Sequence, residues 1–303
     1  MLSLLASAAG AAAATTAATG TGNADVIRWA DLGLQPGIDL GFFTLRYYSL
    51  AYLGGILLGY WHLTRMIKAP GAPMAQRHAD DLFFWCTLGI ILGGRIGYVT
   101  FYAPELWATP LEVLKLWTGG MSFHGGLVGV LLAITYVCWR GGLSFLRVCD
   151  YIAVNVPFGM MFGRLANFIN GELWGRATDV PWAMIFPGGG DVARHPSQLY
   201  QAFGEGLLPM VVLLLMFWKT RARYRPGLLV GTFTLIVAGA RFVNEFFREP
   251  DQQLAQFARD TGLSMGQWLT IPLILLGLAV MAYALAGKGK AVAAPKQATS
   301  PNA

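Results

Sequence analysis

Residues 82–102 read LFFWCTLGIILGGRIGYVTFY, an uninterrupted apolar run whose single charge is Arg95. At about 1.5 Å per residue a helix of this length covers roughly 30 Å, the thickness of a bilayer's hydrocarbon core. A helix on the surface of a soluble domain sets a charged face against an apolar one, and this stretch has no charged face to turn to water. It is expected to be a transmembrane helix. The pattern recurs along the chain, with apolar runs at about 44–64, 82–102, 120–139, 149–169, 197–218, 227–247 and 267–286. The fourth run is interrupted by Asn155 and Pro157, breaks that a membrane helix tolerates where its neighbours satisfy the freed backbone groups.

The whole composition agrees. Only 13% of the 303 residues are charged, against roughly 25% in an average soluble domain. Hydrophobic residues make up 55% and the mean hydropathy is +0.50. A soluble globule could not cover its surface with so few charges, and a disordered chain could not stay solvated. The 38 glycines suit helices that pack closely in lipid. The expected fold is therefore all-α, a polytopic membrane bundle of seven transmembrane helices with a small external head segment. Residues 1–40 form an Ala-rich leader and external N-terminal segment, 41–286 the seven-helix membrane domain, and 287–303 a cytoplasmic tail. The first 24 residues lack the basic start of a secretory signal, so the leader is expected to be retained. The head is placed at about 170–196, where Trp174, Pro181, Trp182, Pro187 and Gly188-Gly189-Gly190 lie. A second long outer segment, 248–266, is polar.

Direction follows from the basic residues. One set of loops holds 12 of the 22 Lys and Arg, the other set seven, and three lie within spans. The richer side is expected to be cytoplasmic, which puts the N-terminus outside and the C-terminus inside. The net charge of +6 is then explained by topology and anionic lipid, without nucleic acid. Cys86, Cys138 and Cys149 form no CxxC pair and read as buried, inert thiols.

An ionisable group at membrane depth costs several kcal/mol, so each one is a functional candidate. These are Arg95, His124, Arg164, Glu205, Arg241 and Glu245. Arg95, Arg164 and Arg241 each lie roughly 21–25 Å from the cytoplasmic end of their spans, and His124 and Tyr48 fall at similar depth. Three cations and an imidazole in one layer need a common anionic partner. Arg164, Asn167 and Gly171 share one helix face, as do Arg241, Asn244, Glu245 and Arg248. Blander readings stay open. Arg241 and Glu245 can simply pair one turn apart, Arg95 sits in the small-residue motif Gly93-Gly94-Arg95-Ile96-Gly97, and a lone His is often structural. A transporter or channel for an anionic solute would use the same layer of arginines. An intramembrane protease is disfavoured, because no Gly-x-Ser-Gly and no paired intramembrane Asp is present.

The segment Gly163-Arg164-Leu165-Ala166-Asn167-Phe168-Ile169-Asn170-Gly171-Glu172-Leu173-Trp174-Gly175-Arg176 closely resembles the signature of the bacterial prolipoprotein diacylglyceryl transferase family. Further blocks agree in order: Arg46-Tyr47-Tyr48, Gly93 to Tyr98, Ser122-Phe123-His124-Gly125-Gly126, Arg194-His195-Pro196-Ser197-Gln198-Leu199-Tyr200, and Arg241 to Asp251. The resemblance covers roughly residues 40–286. It implies transfer of a diacylglyceryl group from phosphatidylglycerol to the lipobox cysteine of a preprolipoprotein, with release of glycerol 1-phosphate, in the bacterial cytoplasmic (inner) membrane. It implies a seven-helix bundle with an external head, and functional positions at Tyr48, His124, Arg164, Asn167, Glu172, Gly175, Arg241 and Glu245. The family often has a Tyr four residues before the Arg of the sixth span, and this chain has Val237 there.

The chemistry suits these residues. A substrate thiolate must attack the glycerol carbon that bears the phosphate ester, and glycerophosphate must leave with its charge. Arg164 and Arg241 are expected to hold the phosphate and stabilise the leaving group, since guanidinium offers two parallel donors and keeps its charge. Glu172 and Glu245 are expected to orient those guanidiniums. Asn167 and Gly175 complete the phosphatidylglycerol site, and Tyr48 can donate to an ester or phosphate oxygen. A thiol near pKa 8.5 needs a base, for which the imidazole of His124 is suited. No metal and no cofactor are expected.

Overall fold

The computed structural model describes residues 26–41, 44–116, 119–249 and 260–287. The leader up to residue 25, the polar stretch 250–259 and the tail from 288 lie outside the described residues. The helices are α1 (Tyr47–Met66), α2 (Gln76–Phe101), a short α3 (Pro110–Val113), α4 (Phe123–Gly141), α5 (Phe145–Ala153), α6 (Val156–Ile169), α7 (Ser197–Gln201), α8 (Leu208–Lys219), α9 (Leu228–Asn244) and α10 (Met265–Leu285). Two small sheets accompany them. The strand β1 (Ile27–Arg28) pairs in parallel with β4 (Met184–Ile185), and β2 (Gly37–Asp39) pairs antiparallel with β3 (Thr44–Arg46).

Among the described residues, five helical stretches are long and apolar enough to cross a membrane: Gln76–Phe101, Phe123–Gly141, Phe145–Ile169, Ser197–Lys219 and Met265–Leu285. Two of the seven expected segments fall outside this group. The helix α1 has 20 residues but carries Tyr47, Tyr48, Tyr52, Tyr60, Trp61 and His62, which dilute its apolar character. The helix α9 has 17 residues and carries Arg241 in its last turn.

The breaks have identifiable causes. The fourth run divides into α5 and α6 at Asn155, where Pro157 occupies the first turn of the new helix. The Asn155 amide donates to the Tyr151 carbonyl at 2.7 Å, and its oxygen meets His62 Nδ1 at 2.7 Å. Trp218 Nε1 donates to His62 Nε2 at 3.1 Å, so one polar network ties α1, the α5–α6 break and α8. The start of α9 is capped by Asp150 of α5, which accepts from the Gly227 and Val230 amides at 2.7 and 2.8 Å. A carboxylate there satisfies amides left open at the helix start and matches the positive end of its dipole.

Small residues set the closest approach. Gly89, Gly93 and Gly97 of α2 face Gly125 and Gly129 of α4, and a Cβ at Gly93 or Gly125 would collide with the other's backbone. The motif around Arg95 is therefore a helix–helix seam, as small-residue spacing anticipates. The apolar core clusters between α1, α2, α4, α5, α8 and α9, around Met66, Leu82, Val148, Tyr151, Leu213, Phe217 and Leu229.

Candidate active site

The fold brings Arg164 of α6 and Arg241 of α9 to one carboxylate. Arg164 donates to Glu205 Oε2 at 3.0 Å, and Arg241 lies 3.8 Å from Glu205 Oε1. Glu205 sits in a π-helical turn, Ala202–Leu207, between α7 and α8. Such turns carry one extra residue and re-aim the side chains within them, which is why they recur at functional sites. Here the turn points the carboxylate between the two guanidiniums. The Glu205 side chain is 1% exposed, while Arg164 and Arg241 are 24% and 38% exposed. Each guanidinium thus has one side on the buried acid and another open to a ligand.

The expected orienting carboxylates are engaged otherwise. Glu172 accepts from the Asn167 and Asn170 amides at 2.8 and 3.2 Å. Glu245 lies 4.0 Å from Arg248, one turn along, rather than on Arg241. The arrangement has a physical reason: α9 turns its Arg241 toward the π turn, where the buried carboxylate held by Arg164 has a second oxygen to offer, and Glu245 follows the helix end toward Arg248. Glu205 stands out in the sequence as a charge at membrane depth, yet nothing local names its partners.

The signature loop is held by the block around residues 194–200. Ser197 Oγ donates to the Leu173 carbonyl at 3.0 Å and Gln198 Nε2 to the Glu172 carbonyl at 2.6 Å. Leu173 adopts φ 58°, a left-handed conformation that is costly for a branched side chain. The two buried donors hold it in place, and with it the direction of Glu172. These supporting roles of Ser197 and Gln198 carry no signature in residue type; only their place in the block 194–200 that resembles the family pattern hints at them. Gly175 is required by close approach: a Cβ there would lie 2.8 Å from that of His195 and collide with the Phe247 carbonyl. Its amide donates to the His195 carbonyl at 2.8 Å. Gly175 therefore closes the loop against the segment after α9. Around it, Arg194 stacks 4.2 Å from the Trp174 ring and pairs with Glu249 at 2.9 Å. Burial pulls the His195 imidazole below its ordinary pKa.

Tyr48 stands at the first turn of α1, its hydroxyl 3.1 Å from that of Tyr52. It lies near enough to Glu172 and Arg164 to feel both charges. Asn167 is buried beside Glu172. His124 is exposed at the first turn of α4, with its ring against Phe123. Arg95 is elsewhere. It is 4% exposed and donates to the carbonyls of Glu112 and Val113 at 2.8 Å and to those of Gly119 and Gly120. It fastens the segment between α2 and α4 and does not join the other two arginines. Between the π turn and α9, a groove of about 460 Å³ is lined by Phe203, Gly204, Leu208, Ile236, Gly239 and Ala240.

Fold and site together define a class: a helical membrane protein with two partly open guanidiniums gathered on a buried acid, and an apolar groove between the π turn and α9. The family model of prolipoprotein diacylglyceryl transferase matches residues 37–283. A protein of Erythrobacter litoralis named phosphatidylglycerol–prolipoprotein diacylglyceryl transferase is 72% identical over 265 residues, covering 87% of this chain and 94% of its own length. Proteins of the same name from Zymomonas mobilis and Rhodospirillum rubrum are each 49% identical, covering 84% and 85% of this chain and 92% and 94% of their own. The chain belongs to the prolipoprotein diacylglyceryl transferase family.

Proposed function

We propose that this protein is a membrane transferase that moves the diacylglyceryl group of phosphatidylglycerol onto the lipobox cysteine thiol of a preprolipoprotein, the first step of lipoprotein modification. The observation that carries the reading is the convergence of Arg164 and Arg241 on buried Glu205, with part of each guanidinium exposed; an apolar groove lies between the π turn and α9, the elements that carry Glu205 and Arg241. A phosphodiester lipid has both features to match: an anionic phosphate for the guanidiniums and acyl chains for the groove. Family membership supplies the acceptor.

In the reaction the substrate thiolate attacks the glycerol carbon next to the phosphate ester. A carbon–sulfur bond forms, the carbon–oxygen bond breaks, and glycerol 1-phosphate leaves with the bonding pair. The thiol proton passes to a base, for which His124 is the candidate; its imidazole is exposed at the same end of α4 as the Gly119–Ser122 turn. Charge builds on the departing phosphate oxygen, where Arg164 and Arg241 stabilise it. Tyr48, its hydroxyl beside that of Tyr52, offers a donor to an ester or phosphate oxygen. Asn167 and Glu172 shape the signature loop beside Arg164, Glu245 anchors Arg248, and Gly175 allows the loop to close.

The proposed setting is the bacterial cytoplasmic membrane. The chain crosses it seven times within residues 41–286, with α1 and α9 among the spans, the N-terminus outside and the 287–303 tail inside. The loop 170–196 forms an external head over the site, and lipid donor and signal-bearing acceptor meet at that outer surface.

The test incubates membranes containing the protein with phosphatidylglycerol labelled in its glycerol-acyl part and a lipobox peptide. Label on the cysteine is expected; no label beside an active control enzyme contradicts the reading. His124→Gln retaining most of the activity would remove that residue as the base. A probe at residue 185 found in the cytoplasm would overturn the topology.

A further inference from the structure

We infer that Glu205 is a positioning residue that sets the charge of the phosphate site, so that it favours a singly charged phosphodiester over a doubly charged phosphate monoester. The inference rests on the transferase reading above. A carboxylate that is 1% exposed, with one oxygen toward each of two guanidiniums, does two things at once. It anchors Arg164 by a hydrogen bond and draws Arg241 toward the same carboxylate, and it offsets one of their two positive charges. Of the neighbouring acids, Glu245 is paired with Arg248, whereas Glu172 accepts from the neutral amides of Asn167 and Asn170 and keeps its negative charge, which weakens the positive field further.

The reaction changes the charge of what sits there. The donor's phosphodiester carries one negative charge. Once the carbon–oxygen bond breaks, the departing monoester carries close to two at neutral pH. Glu205 weakens the positive field of the two arginines; attraction to that field grows in proportion to the ligand's charge while the cost of stripping its water grows with the square, so a weakened field favours the singly charged diester. In a half-buried setting an unmatched charge a few ångströms away is worth more than it is in water. The arginines still stabilise charge as it develops on the leaving oxygen, while the acid limits how tightly the finished dianion is held, which promotes release. A pair of arginines without the acid would grip the product more tightly than the substrate.

Calorimetry on the protein in phosphatidylcholine nanodiscs, with two water-soluble probes, tests this. Glycerophosphoglycerol is the deacylated diester head, and glycerol 1-phosphate is the monoester. Wild-type protein is expected to bind the diester about tenfold more tightly, and E205Q to reverse that preference by about tenfold. E205D, which keeps the charge but shortens the reach, is expected to weaken both probes together and leave their ratio unchanged. A purely structural role would likewise weaken both in E205Q and leave the ratio unmoved. That result overturns the inference, as does a wild type that prefers the monoester or binds neither probe. Should E205Q not insert, the wild-type ratio alone decides. Transfer from labelled phosphatidylglycerol is measured on the same wild-type preparation. An active enzyme with the wrong preference defeats the role of Glu205 alone, whereas an inactive one defeats the transferase reading.

Discussion

Arg95 and the pair Arg164–Arg241 look alike in the sequence: each is a lone cation in an apolar run, at similar depth. Their surroundings differ completely. Arg95 is almost wholly buried, and its donors are taken by four backbone carbonyls of the segment that follows α2. Arg164 and Arg241 share one buried carboxylate and keep part of each guanidinium exposed. An arginine whose donors end on carbonyls holds structure together and has nothing left for a ligand. An arginine steadied on one side by an acid is pre-organised and still able to bind. Depth in the membrane therefore marks a residue as consequential, and the partner decides in what way.

Substitution separates the two kinds. Arg164→Ala or Arg241→Ala is expected to reduce transfer by at least about a hundredfold, the scale for losing a donor to developing charge. Quantitative blotting of the membrane fraction should show normal insertion. Arg95→Ala is expected to act the opposite way. Several buried carbonyls lose their donor at about 1–3 kcal/mol each, so folded protein falls steeply in a thermal-stability assay while activity per folded molecule changes little. A large loss of turnover at normal stability would erase the distinction.

The seam beneath Arg95 gives a third, smaller effect. Gly125→Ala inserts a methyl where α4 meets the backbone of α2 at Gly93. The expected cost is about 1–3 kcal/mol of stability from overpacking, read as a lower melting temperature, with no change in the preference between lipid donors. The smallest effect lies in the loop that closes on Gly175. Burial lowers the pKa of His195, so the fold favours its neutral ring. That contribution is present above the ordinary imidazole value of about 6.5 and fades as pH falls below it, where the unfolded ring takes up a proton first. The protection factor of the Gly175 amide against hydrogen exchange, bonded to the His195 carbonyl, should fall below that pH and lose this dependence in His195→Gln.

Much of the fold is legible because the membrane imposes length and apolarity on each crossing. The runs at 82–102 and 267–286 nearly coincide with α2 and α10. The break at Asn155 and Pro157 is legible too, since proline forces it. Only α1 and α9 blur, being respectively rich in aromatic and polar groups and short. In the site, Arg164 and Arg241 stand out because a guanidinium has no cheap place in lipid. Their shared partner does not. Glu205 has no cation one turn away on its own helix, and its position depends on a π turn and on three packed elements. Local spacing suggests Arg241 with Glu245 instead, and packing overrides it. The carbonyls that occupy Arg95 are equally invisible, since backbone acceptors have no sequence signature.

The central claim is that Arg164 and Arg241 act as one unit on a single phosphate. Its most direct test is a double-mutant cycle in kcat/KM for phosphatidylglycerol, using Arg164→Lys, Arg241→Lys and the double variant, which keep the charge and remove the paired donors. The two substitutions are expected to be strongly non-additive, with the double variant about as impaired as the worse single one. Losses that simply multiply would show two independent arginines and contradict the shared site.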